Sequence, residues 1–379
     1  MTQTIKTQKE RRQTAASALA LIFSLALGGT ARAEDVFNLD ALIEAAKKEP
    51  PITVYAVTGK IVDTAEAFTA KYGVQASGKK VNEATQVELM IREHQAGNIV
   101  GDVSLATDVA SAMGQLLPES IVTSWTPPDI ENDISEKLRN PLVVVSDPHV
   151  WTYNTEKYDK CPVTNIWQLT EPQWKGKLAM LDLFDKPLYA DWFNQIETHH
   201  DADVAKAYED LYGKTLETGE QSATAAWVKA FAENDPLLSD SSTVAEAAGA
   251  PGQAEPFFVI TSTAKYRDNE AKGLKLGLCS GVQPFSGFLY PGFGLIAAQT
   301  KSPNAAKLFV RYLMTEEGIA PQTIDGKISG NAKIGLPADE ASGIAKHLDE
   351  LMAFDAATAA DDFDKRESWQ DFWRVNYKK

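Results

Sequence analysis

Two lysines of this chain lie in polar turns where a bound anion can be recognised. Lys60 follows Thr58 and Gly59, between the apolar residues 52–57 and a helix-like pattern that begins near residue 62. The β-branched and aromatic residues of the apolar run predict a buried strand. In an open α/β sheet such a turn lies at the carboxyl end of its strand, where ligands bind, and the helix N-terminus adds free N–H groups. Lys186 lies in a comparable turn further along the chain. Both positions are also compatible with ordinary solvent exposure.

Two further strand–turn–helix units follow the first one. Three consecutive units predict a parallel sheet with three polar turns along one edge. Hydroxyl and N–H donors at such turns suit an anion, whereas carboxylates there, and Asp185 beside Lys186, favour a hydroxyl- or amine-bearing part of the same ligand. The candidate residues at the second and third turns are Ala84, Thr85, Thr107 and Asp108.

The chain is acidic, with a formal net charge of −15 over 379 residues. Nucleic acids and anionic membrane surfaces repel such a chain, so neither is expected as a partner. Overall charge does not fix the sign of the charge inside a binding cleft, which is set locally. The length favours two domains or lobes.

The first 33 residues have the organisation of a secretory signal peptide. A basic segment precedes an apolar run from Ala15 to Leu27, and Ala31-Arg32-Ala33 matches a small-x-small cleavage signal. The apolar run is short for a bilayer span. The residues Gln13-Thr14 match the motif of a twin-arginine export signal poorly. The general secretory pathway is therefore the favoured export route. We therefore expect a periplasmic protein whose mature chain begins near residue 34.

The two cysteines, Cys161 and Cys279, lie far apart in the sequence. In an exported protein they can form one disulfide, but the sequence does not show whether their Cα atoms approach each other. A bridge and two free thiols are therefore both compatible with it.

Motifs for catalysis or for metal binding are lacking. The sequence contains no nucleotide-type glycine-rich loop, no G-x-S-x-G elbow and no H-E-x-x-H. His199, His200, Asp201 and Asp203 form a possible metal cluster, but Asp201 lies where a helix cap is expected, which favours a solvated surface. We predict no enzyme activity, no cofactor and no bound metal.

Seven short motifs, spread in order over nearly the whole mature chain, match a known family. They are Val54–Gly59, Gly101–Val103, Thr152–Asn154, Leu169–Lys177, Pro284–Gly287, Ser302–Phe309 and Tyr312–Gly318. Through them the chain resembles the periplasmic solute-binding proteins of ABC importers. Within these it is similar to the branch of ferric-iron binders, related to the spermidine and putrescine binders.

The resemblance implies an α/β protein with the type II periplasmic binding fold. Each of its two lobes is a mixed sheet flanked by helices, and the ligand cleft lies between them. Residues 34–140 and 282–379 would form lobe one, residues 141–281 would form lobe two, and two crossing strands would join them. The resemblance further implies a monomer that closes on a small-molecule ligand and delivers it to a permease in the inner membrane.

The ligand of the iron-binding branch does not transfer to this sequence. Iron binders of this branch carry two adjacent tyrosines, whose phenolates are hard donors for ferric ion. The corresponding segment here is Glu255-Pro256-Phe257-Phe258, and Tyr266 is out of register with the tyrosine pair. The sequence therefore favours an organic anion that bears phosphate or carboxylate. Ferric iron or an iron complex is the alternative, and a secreted enzyme or a sensor that reuses the fold is the second.

Aromatic and hydroxyl side chains of the second half supply candidate walls for the ligand. Successive strand residues face opposite ways, so one of the two adjacent phenylalanines is expected in the core. The predicted residues are Tyr189, Phe257, Phe258, Ser286 and Phe288.

Overall fold

The computed structural model describes residues 37–377. The predicted signal peptide lies outside these residues, so the predictions of its cleavage and export route concern a part of the chain that is not described. Within them, no helix has the length and apolar character needed to cross a membrane.

Twelve strands of the described chain form one continuous mixed sheet. Its main path runs in the order β2-β1-β3-β10-β5-β8-β6-β7, and four short strands pair beside this path. The strands are β1 (Ile52–Ala56), β2 (Ala76–Lys80), β3 (Val103–Ala106), β4 (Val122–Ser124), β5 (Val143–Asn154), β6 (Leu178–Leu181), β7 (Leu237–Ser239), β8 (Phe258–Ser262), β9 (Leu276–Leu278), β10 (Gly287–Ala297), β11 (Ile328–Ser329) and β12 (Leu351–Ala353).

The sheet has a parallel portion at each end. Strands β1, β2 and β3 pair in parallel, as the repeated strand–turn–helix units predict, and we call them the first half-sheet. Strands β6, β7 and β8 pair in parallel at the other end and form the second half-sheet. Parallel pairing places the turns after the strands of each half-sheet along one edge.

Strands β5 and β10 join the two half-sheets. They are the longest strands in the described chain and pair antiparallel with each other. Strand β5 pairs with β8 of the second half-sheet, whereas β10 pairs with β3 of the first. They therefore have the connectivity expected of the two predicted crossing strands. The residue boundaries assigned to the lobes stay predictions.

Helices cover the sheet, and some of them begin after a residue whose side chain caps the helix. Asn82 accepts a hydrogen bond from the Thr85 N–H and caps the helix of the second strand–turn–helix unit, which begins at Glu83. The helices are α1 (Leu39–Ala46), α2 (Ile61–Tyr72), α3 (Glu83–Ala96), α4 (Val109–Ser111), α5 (Leu188–Tyr212), α6 (Ala223–Glu233), α7 (Ser241–Gly249), α8 (Asp268–Ala271), α9 (Pro303–Leu313), α10 (Glu316–Thr323) and α11 (Ala359–Asn376).

Aromatic side chains dominate the core around the second half-sheet. Phe258 stacks on Trp151, with ring centroids 5.7 Å apart. The C-terminal helix α11 packs against α5 through Trp373, which stacks on Phe193. Buried aromatic rings contribute large apolar areas, so this packing fixes the positions of α5 and α11. The core therefore determines where the N-terminus of α5, next to Lys186, is placed.

Cys161 and Cys279 form a disulfide, with their Cα atoms 4.9 Å apart. Of the two possibilities left open by the sequence, the structure has the bridge. It ties the connection that follows β5 to the end of β9.

Candidate functional site

The polar turns of the two half-sheets face each other across a cleft floored by β5. The cleft is a cavity of about 260 Å³, lined by the turn at Thr58 and Gly59, by Asp147 and His149 of β5, and by residues 262–267 after β8. It continues into an inner space of about 40 Å³, which shares several lining residues and reaches Thr107. In this arrangement predicted turns from both half-sheets line one cavity.

A larger, mainly apolar cavity lies on the opposite face of the crossing strands. It measures about 460 Å³ and is lined by residues such as Val143, Ser146, Leu289 and Pro291. These positions differ from those that line the cleft because successive strand residues face opposite ways. We place the candidate ligand site in the cleft, since the predicted polar turns converge there.

The turn at Thr58 is built by the packing of β2 against α2. A Cβ on Gly78 would lie 2.2 Å from the backbone oxygen of Ile61, so only glycine permits this close approach. The Thr58 hydroxyl accepts a hydrogen bond from the Lys60 N–H at 3.3 Å. Helix α2 begins at Ile61, directly after the turn and close to the predicted start near residue 62. The N-terminus of α2 is thereby placed beside the cleft.

Two ion pairs connect the opposite walls of the cleft. Asp325, which follows α10, accepts from Arg267 at 2.6 Å and also pairs with Lys60 at 2.8 Å. Arg267 follows β8 on the second half-sheet, whereas Lys60 belongs to the first. Lys186, at the start of α5, pairs with Glu83 of α3 at 3.3 Å. In this structure the cleft carboxylates are therefore paired with the same cations that a bound anion would contact.

Cations outnumber carboxylates in the cleft. Five cationic side chains line it against three carboxylates, although the whole chain carries a net charge of −15. This local excess of positive charge favours an anionic ligand. The cations are Lys80, Lys186, Lys265, Arg267 and Lys327, and the carboxylates are Glu83, Asp147 and Asp325.

Asp147 forms the floor of the cleft together with Lys327. The Lys327 ammonium lies 3.1 Å from the Asp147 carboxylate, and the Ser262 hydroxyl donates to it at 2.6 Å. Burial opposes the charged carboxylate, but Lys327, His149 and the hydroxyl outweigh that effect and hold the pKa of Asp147 below its ordinary value. Asp147 is therefore ionised at neutral pH.

His149 lies next to Asp147 on the same face of β5. Its ring stacks on Phe288, and its Nδ1 lies 3.2 Å from the Tyr189 hydroxyl. Burial disfavours the imidazolium and, despite the nearby Asp147, lowers the pKa of His149 to about 4. His149 is therefore neutral at pH 7.

Several of the predicted site residues come together in the cleft. Thr58, Gly59 and Lys186 line its main cavity, and Thr107 lines the inner space. Lys60 lies beside the cavity through its pair with Asp325.

The remaining candidate ligand-binding residues at the turns do not line the cleft. Ala84 is exposed and Thr85 is partly exposed on α3, and the neighbouring Glu83 lines the cleft instead. Asp108 caps α4 and pairs with Arg366 of α11 at 2.7 Å, so its carboxylate serves the packing of α11. Asp185 is exposed and does not line the cavity.

The predicted aromatic and hydroxyl walls mostly belong to the core. Phe258 and Phe288 are buried in aromatic stacks, and Phe257 packs partly buried against the same core. Ser286 donates to Glu350 at 2.6 Å. Tyr189 is fully buried and reaches the site only through its contact with His149. Strand alternation thus places Phe258 in the core, as expected for one of the phenylalanine pair.

Sequence reasoning missed the residues that floor and close the cleft. Asp147 and His149 occupy alternate positions of β5, which is a signal for two polar groups on one face. Arg267, Asp325 and Lys327 lie in connections, where no local pattern marked them.

The possible metal cluster of the sequence has other partners. His199 contacts the Thr358 hydroxyl, and His200 contacts Asp203. Asp201 accepts from the N–H and hydroxyl of Thr224 near the start of α6. No group of three or more His, Cys, Asp or Glu side chains among residues 37–377 is arranged to hold a metal ion.

A family model describes most of this fold. The model of the bacterial extracellular solute-binding proteins matches residues 52–326, so the chain belongs to that family. Membership implies binding of a small solute and its delivery to an ABC permease, and the resemblance inferred from the motifs is confirmed. No curated protein sequence matches the chain.

Solved structures show the same two-lobed architecture at low sequence identity. Iron-bound HitA from Pseudomonas aeruginosa is 15% identical, covers 86% of this chain and 99% of its own, and superposes with a TM-score of 0.65. AfuA from Actinobacillus pleuropneumoniae, with fructose-6-phosphate bound, is 15% identical, and the match covers 86% of this chain and 99% of AfuA with a TM-score of 0.64. Trichodesmium IdiA (FutA), with iron and citrate, is 16% identical, and the match covers 87% of this chain and 100% of IdiA with a TM-score of 0.62. The predicted α/β fold with two lobes is therefore confirmed.

Proposed function

We propose that this chain is the periplasmic binding component of an ABC importer for a small organic anion bearing phosphate or carboxylate. The observation that carries the proposal is the excess of cations in the cleft of a strongly acidic chain. Ordinary surface charge would make this region negative, so a positive cleft indicates selection for an anion. The protein acts by binding and delivery rather than by catalysis.

The donor chemistry of the cleft supports an organic anion over bare ferric ion. The two buried tyrosines nearest its inner end are already engaged: Tyr189 donates to the Ile260 carbonyl, and Tyr290 donates to Asp191. Burial raises the pKa of both phenols well above the ordinary value, which opposes the phenolate form that ferric ion requires. The sugar phosphate bound in AfuA is consistent with this assignment.

Calorimetry with a ligand panel tests the proposal. Purified protein, freed of co-purified ligand by denaturation and refolding, is titrated with sugar phosphates, phosphonates, dicarboxylates and ferric citrate. We expect binding of an organic phosphate or carboxylate. Lys186→Gln should weaken that binding by about tenfold or more, because a charge-assisted hydrogen bond contributes about 1.5–3 kcal/mol.

Lys177→Gln is the matched control. Lys177 pairs with Glu255 at the surface and does not line the cleft, so its loss should leave the affinity unchanged. Tight ferric binding that survives citrate competition, with no response to any organic anion, would overturn the proposal.

A further inference from the structure

The inner end of the cleft has an unusual arrangement of hydrogen-bond acceptors. Tyr189 donates its one hydroxyl proton to the Ile260 carbonyl at 3.1 Å, since a carbonyl can only accept. The Tyr189 oxygen must therefore accept from His149 Nδ1, 3.2 Å away. Because the imidazole is neutral, its single proton is then on Nδ1, and the hydrogen-bond network assigns Nε2 as a bare acceptor.

This acceptor has no donor within the described protein. His149 is 4% exposed, and its Nε2 makes no hydrogen bond to any residue between 37 and 377. An Asp147 oxygen lies 4.0 Å from Nε2, but it is itself an acceptor and too distant for a hydrogen bond. Because His149 lines the cavity, this nitrogen is available to accept a hydrogen bond from a ligand. The Asp147 carboxylate beside it, which accepts from Ser262 and pairs with Lys327, provides a second acceptor.

Neighbouring groups extend the same pattern. The Thr107 hydroxyl donates to Glu83 at 2.9 Å, so only its lone pairs face the inner space. Glu83 accepts that bond and pairs with the Lys186 ammonium, and its side chain lies at the boundary between the inner space and the cavity. An anionic group placed here would meet two carboxylates and a lone pair.

The opposite end of the cleft has the opposite character. Lys265 and Arg267 lie in the connection after β8, and Lys265 donates to the Ser242 hydroxyl at 3.0 Å. Asp325 pairs with Arg267 at this end. An anion would therefore bind near Lys265 and Arg267 in competition with that carboxylate, while the rest of the ligand extends toward His149.

We propose that the cleft selects a hydroxylated organic anion, whose anionic group binds near Lys265 and Arg267 and whose hydroxyl donates to His149 Nε2 and Asp147. This deepens the proposed function and rests on it. A hydroxyl is favoured over an ammonium because it can also accept from Lys327, which an ammonium cannot.

Matched ligands test the proposal on the wild-type protein by calorimetry. A hexose 6-phosphate and cyclohexylmethyl phosphate share the phosphate and the ring but differ in hydroxyl groups. We expect the hexose phosphate to bind at least about 100-fold more tightly, because a site built to hydrogen-bond a hydroxyl rejects the analogue that lacks it. Hydroxyethyl phosphate should likewise bind more tightly than aminoethyl phosphate.

Two variants assign the effect to the histidine. His149→Phe should remove most of the discrimination between the hexose phosphate and cyclohexylmethyl phosphate. Tyr189→Phe keeps the ring packing and removes the acceptor of the Nδ1 proton, so it should reduce discrimination to an intermediate value. Nitrogen-15 NMR of the wild-type protein should show protonated Nδ1 and unprotonated Nε2, with the signal identified by its absence from His149→Phe.

The outcomes separate this inference from the function on which it rests. Equal affinities for the two ring phosphates, tighter binding of aminoethyl phosphate, or a protonated Nε2 would overturn the hydroxyl subsite while the anion-binding function stands. Binding of ferric citrate alone, with no organic phosphate bound, would overturn both.

Discussion

Asp362 is a buried carboxyl at the contact between α11 and α5. It is fully buried and accepts hydrogen bonds from the side-chain amides of Asn194 and Gln195. Burial raises the pKa of Asp362 to about 7, although both amides act in the opposite direction. The folded protein therefore binds this proton more tightly than the unfolded chain does.

The raised pKa of Asp362 predicts that this group stabilises the folded protein more in mild acid than at neutral pH. The contribution of Asp362 is fully present below about pH 4 and is lost as the pH rises to about 7, a change of up to about 4 kcal/mol. Urea unfolding of wild type and Asp362→Asn between pH 4 and 8 measures it, since asparagine mimics the protonated carboxyl. The difference between the two proteins should grow in favour of the variant as the pH rises.

Asp361→Asn is the matched control for this measurement. Asp361 is exposed on the same helix and also contacts Asn194. The stability of this variant should still fall as the pH rises, with a somewhat smaller change than in wild type, because the Asp361 charge contributes to the raised pKa of Asp362. A constant difference between wild type and Asp362→Asn across the range would show that Asp362 does not titrate as inferred.

At the scale of secondary structure, the position of the Thr58 turn depends on how closely β2 approaches α2. Gly78 of β2 lies directly against the backbone of Ile61, the first residue of α2. A larger residue there must displace the helix N-terminus. The cleft wall formed by Thr58 and Gly59 would move with it.

We expect Gly78→Ala to destabilise the protein by about 1–3 kcal/mol and to weaken ligand binding, because the added methyl group overlaps backbone atoms that cannot rotate away. Chemical denaturation and calorimetry measure the two effects. Gly219→Ala is the control, since a Cβ there meets no atom within 4 Å. Wild-type stability in Gly78→Ala would mean that β2 and α2 are not in this close contact.

The disulfide joins elements that are distant in the sequence. Cys161 and Cys279 are separated by 118 residues, so the bridge restricts a large part of the unfolded chain. Replacing both cysteines by serine should lower the free energy of unfolding by about 2–4 kcal/mol. Thiol labelling of the unreduced, denatured wild-type protein provides a direct check. Two labelled thiols per chain would contradict the bridge.

At the scale of the whole molecule, ion pairs hold the two walls of the cleft together in this structure. Arg267 and Asp325 meet from opposite half-sheets, as do Lys186 and Glu83. A ligand anion would compete with Asp325 and Glu83 for these cations. The carboxylates therefore contribute to closure when no ligand is bound, and a ligand must displace or rearrange them.

Removing both carboxylates should open the ligand-free protein. A partly exposed ion pair contributes roughly up to 1 kcal/mol, so the ratio of open to closed molecules should rise by roughly fivefold for each pair. Small-angle scattering at low salt should give a larger radius of gyration for Glu83→Gln/Asp325→Asn than for wild type. Glu255→Gln, which removes a surface pair with Lys177, is the control. An unchanged radius in the double variant would exclude these pairs as closing contacts.

Local sequence patterns were sufficient to predict the types of the secondary-structure elements and the class of the fold. Strand and helix patterns depend on neighbouring residues, so the first half-sheet and the turn at Thr58, Gly59 and Lys60 could be predicted from local signals. The order and spacing of the seven motifs along the chain were enough to indicate the family resemblance. Alternation along the strand also predicted that one of Phe257 and Phe258 would be buried.

The polar residues that meet in the cleft are set by tertiary packing, so local sequence patterns could not predict them. Asp108 has a cap position and a turn that suit a ligand, but Arg366, 258 residues later in the chain, takes its carboxylate. Asp325 and Arg267 come to the Lys60 turn from distant connections. Burial, charge partners and the protonation of His149 depend on which surfaces pack together, and this packing is set by the whole core rather than by the residues next to each group. For that reason the element that carries Lys60 could be predicted from the sequence, whereas the acceptors at His149 and Asp147 could not.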